Sequence, residues 1–417
     1  MVGGNLLAHQ YRTLSWHRLL NRHKQEFLAW MDENGTRLKM FNKLAEDLEQ
    51  YVIHCLTIGP FYEGRLSLIR LRPTYFCEQF ANCIPDVFTN CDDPHMYEQY
   101  MAAQAYAHVH LLERYRRFWD VLISLLEAAV LPMSEKNLQV LDVGTGPAPA
   151  LYAVSDFYQA LHDFAHEQGY ISLITSTPKL DGIELSYNMR HFMHIFSEMS
   201  YRTNGPYRVT FGQFEGLSFG KLRSDKRRAL ISREADEQDT SEEYAKEYVD
   251  FMHSFDHLYR HHLIIFSNFL TKGDVVANWQ KELRSTFGTL CHGGIVVVVG
   301  GSGEKYDPIY QAVRDIAKNI GLSEIPEVST KIPCNYSDIS AQRIKEHYNT
   351  IWAWIRANTD IDEAFLTSRK IAKKLWNPQK RLKEASSPPE FTLLTFRRSG
   401  RPWKWKPASE GRLAKKD

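Results

Sequence analysis

No stretch of the 417-residue chain approaches the roughly 18 consecutive apolar residues that a membrane-spanning helix needs. No membrane segment is expected. The start, MVGGNLLAHQYR, lacks the apolar region of a signal peptide, so a cytoplasmic protein is expected. Cysteine is sparse, with six residues and no C-x-x-C pair. Cys77, Cys83 and Cys91, followed by His95, have spacings unlike the usual zinc patterns. They read as isolated reduced thiols, and no metal site is expected. Net charge is nearly absent at +1, yet it is uneven. Residues 369–417 hold fifteen Lys and Arg against four Asp and Glu, a net of +11 that leaves −10 on residues 1–368. Such asymmetry points to an anionic partner for the C-terminal segment. What is present in ordinary amount, 43% hydrophobic and 24% charged residues, suits a globular protein with a sizeable core. The length suggests two or three domains.

One stretch organises the rest. Leu138, Val140, Leu141 and Val143 form an apolar strand that carries Asp142 near its end. The turn Gly144-Thr145-Gly146-Pro147 follows, and a helix-forming run begins near Ala150. Strand, glycine turn and helix in this order open the cofactor crevice of a doubly wound sheet. Glycine allows positive φ and clears side chains from a backbone that a ligand must approach. The dinucleotide fingerprint G-x-G-x-x-G has a third glycine where this chain has Pro149, which disfavours nicotinamide or flavin. Pro147 and Pro149 are tolerated because the first helical turn has no intrahelical N–H partners to lose.

The sequence V-L-D-V-G-T-G-P resembles motif I of the class I S-adenosylmethionine-dependent methyltransferases. The resemblance implies S-adenosyl-L-methionine as cofactor, with its methionine end on Asp142, Gly144, Thr145, Gly146 and Pro147. It also implies a mostly parallel, doubly wound seven-stranded α/β sheet with an antiparallel last strand. An acid ending the second strand would take the ribose hydroxyls, and Glu184 is placed for that. Glu184 lies 42 residues after Asp142, against a usual step of roughly 20. If the run 171–175 were the second strand, this acid would be lost. After the third strand, Gln213 or Glu215 would bond the adenine amino group, with Phe214 or Leu217 against the ring. At the end of the fourth strand, Ser267 and Asn268 would line the site, with Asn268 facing the acceptor. A fainter likeness, to the ribosomal small-subunit-associated methyltransferase-like family, rests on ERYRRFW at 113–119, SNFLT at 267–271 and the glycine loop around 293–303. The metal-binding cysteines of that family are absent here.

In chain order, residues 1–130 read as a helical N-terminal domain. Apolar residues recur at three- and four-residue spacing over 11–30 and 38–56, separated by Gly35. Residues 72–95, with Pro73, Pro85 and Pro94, read as an irregular connection. A long helix over 97–130 ends before Pro132. Residues 131–400 read as the Rossmann-like methyltransferase domain. Its strands are expected from 138, over 179–185 (with Ser186 capping the next helix), 208–214, 262–270 and 295–299, and finally over 391–396. A charged insertion occupies 221–257 and an irregular helical segment 323–390. Residues 401–417 form a basic tail.

Asn268-Phe269 keeps the amide and the aromatic residue of the Asn/Asp-Pro-Pro-aromatic loop that amino-group methyltransferases use, without the prolines. Carbon-5 pyrimidine chemistry needs a cysteine that this region lacks. His261, His262 and His292 read as strand-edge or loop histidines, and Tyr306 and Asp307 as possible acceptor contacts. The expected acceptor is RNA or a ribonucleoprotein, held through the basic 369–417 segment, where Trp403 and Trp405 interleave with cations that neutralise phosphates. The alternatives are a small-molecule O- or N-methyltransferase with the helical domain as a lid, and a catalytically silent cofactor-binding assembly or interaction protein.

Overall fold

The computed structural model describes residues 23–60, 73–89, 94–132, 138–168, 178–184, 186–200, 210–215, 261–270, 273–333, 339–368 and 390–398. The run 171–175, the insertion 221–257, Cys91, Leu217, Cys334 and the basic segment outside 390–398 lie beyond these residues.

Helices α1 (Lys24–Glu33), α2 (Thr36–Ile58), α3 (Pro73–Thr89) and α4 (Ala102–Glu127) come first. The α3 helix occupies the expected irregular connection, which is a correction. Pro73 stands at its first turn, where a missing N–H costs nothing. Pro85 lies in its interior and forfeits one backbone bond. The helix persists because Phe76, Cys77, Phe80, Ala81, Ile84 and Val87 are all buried on one helical face. A 3₁₀ turn, Pro94–Glu98, precedes α4. The α4 helix ends in a Schellman pattern before Pro132 is reached. Val130 N–H bonds Leu125 O at 2.9 Å, Ala129 N–H bonds Leu126 O at 2.9 Å, and Ala129 takes φ 57°.

The alternating part follows as β1 (Gln139–Val143), α5 (Pro149–Glu167), β2 (Lys179–Ile183), α6 (Tyr187–Ser200), β3 (Thr210–Glu215), β4 (His261–Ser267), α7 (Gly273–Asn278), α8 (Gln280–Gly288), β5 (Leu290–Gly301) and α9 (Asp307–Asn319). Then come β6 (Leu322–Glu324), β7 (Thr330–Pro333), α10 (Ile339–Asn358), α11 (Glu363–Ser368) and β8 (Glu390–Arg398). The strand order is β3-β2-β1-β4-β5-β8-β6, with β7 also on β8. Strands β1 to β5 are parallel, and β8 runs antiparallel to β5, β6 and β7.

Among the described residues the sheet therefore has eight strands where seven are expected, and the reason is local. Strands β6 and β7 line the same edge of β8, one after the other. Between them the chain leaves the ladder, and the Ser329 hydroxyl takes its place, accepting the Thr395 N–H at 2.9 Å. Two short strands thus share one edge of β8, which brings the number to eight.

Pleating sends alternate residues to opposite faces, and each face has its own core. Val140, Leu263, Ile265, Val297 and Leu393 pack with α1 to α6 and α10. Leu141, Val143, Ile264, Phe266, Val298 and Leu394 pack with α7, α8 and α9. Helix α10 lies within 323–390, the stretch expected to be an irregular helical segment. It adds Ile344, Tyr348, Ile351, Trp352 and Ile355 to the first core and packs on α2, α3 and α4. The helical layer over the first face thus draws on chain segments from both ends of the sequence.

Candidate active site

Brändén's rule puts the ligand outside the carboxyl ends of the strands, where strand order reverses, here between β1 and β4. The turn after β1 is tied to β2, because Gly144 N–H and Thr145 N–H both donate to Ile183 O, at 2.9 and 3.2 Å. Gly144 and Gly146 take φ 69° and 56°, in the region that favours glycine. A Cβ on Gly144 would stand 2.0 Å from the Phe269 ring, so that ring seats directly on the turn. Ala148 caps α5 at φ 62°, and Pro149 occupies the first helical turn, as the sequence predicts.

Asp142 is 1% exposed. Its Oδ2 accepts from Thr145 Oγ1 at 2.8 Å, while its Oδ1 is buried with no hydrogen-bond partner. Burial pushes its carboxyl up, the Thr145 bond pulls it part of the way back, and the nearby Glu184 charge raises it again, to about 8. With no cation beside it, this acid is protonated at neutral pH.

Glu184 follows β2, whose register on β1 pairs Val143 with Ile183. The strand at Lys179–Ile183 pairs with β1, so the 42-residue step still brings Glu184 beside the glycine turn. Its Oε2 accepts the Gly146 N–H at 2.8 Å, and its Oε1 the Ser186 N–H at 2.9 Å. Ser186 caps α6 as expected, its Oγ accepting the Met189 N–H at 3.3 Å. Gln213, Phe214 and Glu215 end β3 in the next row, where Phe214 pairs with Gly182 and Glu215 with Ile183. Pro147 lies within the turn, between Gly146 and the αL residue Ala148.

Ser267 closes β4. Asn268 then turns at φ 56°, and its N–H donates to Val299 O at 2.7 Å. Its Nδ2 donates to Ser267 Oγ at 3.2 Å, and its Oδ1 accepts from Arg117 Nη1 at 3.3 Å. The sites expected from sequence on β1, β2 and β4 thus share one end of the sheet. Tyr306 packs against Gly301 in the loop after β5, and Asp307 is exposed at the start of α9. His261 and His262 lie at the opposite end of β4. His261 bonds Thr289 Oγ1 at 2.9 Å, and burial lowers its pKa to about 3. His262 Nδ1 accepts the Gln139 N–H at 3.1 Å. His292 stands near the amino end of β5.

The residues that sequence reasoning misses come from α4. A Cβ on Gly146 would lie 3.7 Å from Tyr106, and Tyr106 in turn stacks edge-on against Tyr97. Tyr97 O accepts from Ser186 Oγ at 3.2 Å and from Asn188 Nδ2 at 3.0 Å, which pins the 3₁₀ turn to α6. Arg114 donates to the Tyr106 hydroxyl. Tyr106, His110, Arg114 and Arg117 recur at helical spacing on one face of α4. That face runs from the glycine turn of β1 to the end of β4. The spacing is visible in the sequence, although the apolar face of the same helix gives the stronger signal.

No protein-family model matches the chain, and no curated protein sequence does. Similar solved structures include an S-adenosylmethionine-dependent methyltransferase of Geobacter sulfurreducens in complex with S-adenosyl-L-homocysteine (14% identity, 68% of this chain and 90% of that chain, TM-score 0.33). Others are a cyclopropane synthase of Mycobacterium tuberculosis (9%, 67% and 82%, TM-score 0.34) and an arsenic(III) S-adenosylmethionine methyltransferase of Chlamydomonas reinhardtii (10%, 65% and 67%, TM-score 0.30). The strand order, the antiparallel β8 and the glycine turn beside a buried acid give the chain the doubly wound, mostly parallel α/β fold that the motif I resemblance implies.

Proposed function

We propose that the protein is an S-adenosylmethionine-dependent methyltransferase whose acceptor is a small molecule enclosed beneath α4. The observation that carries the cofactor is Asp142 Oδ1, a buried carboxylate oxygen with no partner, beside two glycines at positive φ. A buried carboxyl with one oxygen left unpartnered is favoured by a cation beside that oxygen, and the ammonium of the methionine end supplies one. Gly146 lets the backbone approach it, while the space that Gly144 leaves is filled by the Phe269 ring. Glu184 would take the ribose hydroxyls, and residues 213–215 the adenine. When bound, the sulfonium supplies an electrophilic methyl group with a neutral sulfide as leaving group.

The chain's own residues then position the acceptor and exclude water. Asn268 faces the acceptor side, held by its backbone bond to Val299 and its side-chain contact with Arg117. Tyr106 covers the glycine turn. A helix laid across the strand ends suits a small enclosed acceptor better than an open polymer track. Equilibrium titration with S-adenosylhomocysteine tests the cofactor. Incubation of an extract with methyl-labelled cofactor, then separation into RNA, protein and small molecules, tests the acceptor. Label confined to RNA or protein refutes a small acceptor.

The +11 charge of residues 369–417 favours a second reading, an RNA acceptor. On that reading, truncation at Gly400 lowers RNA affinity, and the affinity falls steeply with salt.

A further inference from the structure

We propose that Arg117, supported by Arg114, binds an anionic group on the methyl acceptor, either a carboxylate or a phosphate monoester. This rests on the methyltransferase reading and specifies its substrate class. Arg117 is half-buried at the junction of three elements. Its Nη1 donates to Asn268 Oδ1 at 3.3 Å, its guanidinium lies 5.3 Å from the centre of the Phe391 ring, and its buried Nε has no partner. Phe391 begins β8 and pairs with Gly301 at the end of β5, so the cation sits over the ends of β4, β5 and β8. That is the acceptor side of the crevice, beyond the glycine turn.

The missing partner is the informative feature. A guanidinium offers five donors, and Arg117 commits one, to a neutral amide. Among the described residues no carboxylate lies within ion-pair distance of Arg117 or Arg114. Other arginines of this chain are treated differently. Arg37 holds Asp120 at 2.6 Å, Arg314 holds Glu324 at 2.9 Å, and Arg343 holds Glu49 at 2.6 Å. Withdrawing a cation from water without a counter-charge is unfavourable, and an incoming anion removes that cost. Arg114 lies one turn before Arg117 on the same face of α4, and its donated bond goes to the Tyr106 hydroxyl over the glycine turn. The two guanidiniums therefore lie along α4 between Tyr106, over the glycine turn, and Asn268 at the end of β4. A planar fork of donors favours bidentate oxyanions such as carboxylate and phosphate. The same charge disfavours a cationic amine acceptor, which would place two positive groups side by side.

The test uses the full chain saturated with S-adenosylhomocysteine, titrated with inorganic phosphate and with acetate in a calorimeter. Wild type is expected to bind at least one anion. Arg117→Met is expected to weaken that binding at least tenfold, and Arg117→Lys to retain part of it. Equal anion binding by wild type and Arg117→Met overturns the proposal, as does no binding of either anion by wild type. A chain that fails to bind S-adenosylhomocysteine at all refutes the methyltransferase reading, a separate outcome. Methyl-labelled product from a small-molecule extract then identifies the group. Retention on an anion exchanger that phosphatase abolishes marks a phosphate, and retention that survives phosphatase marks a carboxylate. A labelled product that is neutral or cationic overturns the proposal.

Discussion

Cofactor binding should release a proton, and Asp142 is the source. Without a cation beside it, burial pushes its carboxyl up to about 8. Near pH 6 it is therefore about 99% protonated. A methionine ammonium beside Oδ1 favours the ionised form. Binding at that pH must strip the proton, which costs about two pKa units, or about 2.7 kcal/mol. Affinity for S-adenosylhomocysteine should thus rise about tenfold per pH unit between about pH 6 and about pH 7.5. Over that range the ligand's own ammonium, with an ordinary pKa near 8, stays charged. Titration calorimetry in two buffers of different ionisation enthalpy counts the protons directly, and about one per bound ligand is expected near pH 6.5. In Asp142→Asn both the slope and the released proton should vanish. Binding to wild type without proton release, or a slope retained by Asp142→Asn, would exclude Asp142 as the source of the proton. The unliganded chain gives a matching sign. The folded carboxyl keeps its proton to about 8, whereas the unfolded one loses it near 3.8. Stability from this group is full in acid and falls as pH rises toward about 8, by about 1.4 kcal/mol per unit, then levels off.

Gly144→Ala should abolish cofactor binding and destabilise the fold by about 2–5 kcal/mol, combining positive-φ strain with overpacking against Phe269. Adding Phe269→Ala should relieve the clash but not the strain, so partial recovery in urea unfolding is expected and full recovery would contradict this account. Arg343→Met should cost about 2 kcal/mol, between exposed and fully buried ion pairs, because it leaves Glu49 facing the buried His347. Burial raises the pKa of Glu49, but its bonds to His347 and Arg343 outweigh that and lower it overall. The pair's contribution is therefore present above about pH 4.5 and is lost as the solution is made more acid than that, and the mutant's deficit should shrink in the same direction. Truncation at Gly400 should leave S-adenosylhomocysteine affinity unchanged while reducing any binding of total RNA at low salt. Equal RNA binding by both chains would remove the case for the basic tail.

The sequence by itself determined the parts whose physics is local. The glycine turn after an apolar strand, Pro149 in the first turn of α5, Ser186 as a cap and the apolar run of β4 all depend on neighbours within a few residues. The mostly parallel sheet followed from the order of those parts, whereas its antiparallel last strand was implied by the family resemblance alone. Tertiary structure alone decided whatever depends on contacts between distant residues. It seated Phe269 on Gly144 and carried Tyr106 and Arg117 from α4 over the strand ends. It joined His108 of α4 to His347 of α10 at 3.0 Å, and so brought a C-terminal helix into the N-terminal layer. It kept α3 helical through Pro85, because burial of one apolar face outweighs a lost backbone bond. Backbone conformation is a short-range property, legible from residue type and spacing. Which side chains share a crevice is set by packing two helical layers onto one twisted sheet, and no stretch of sequence carries that on its own.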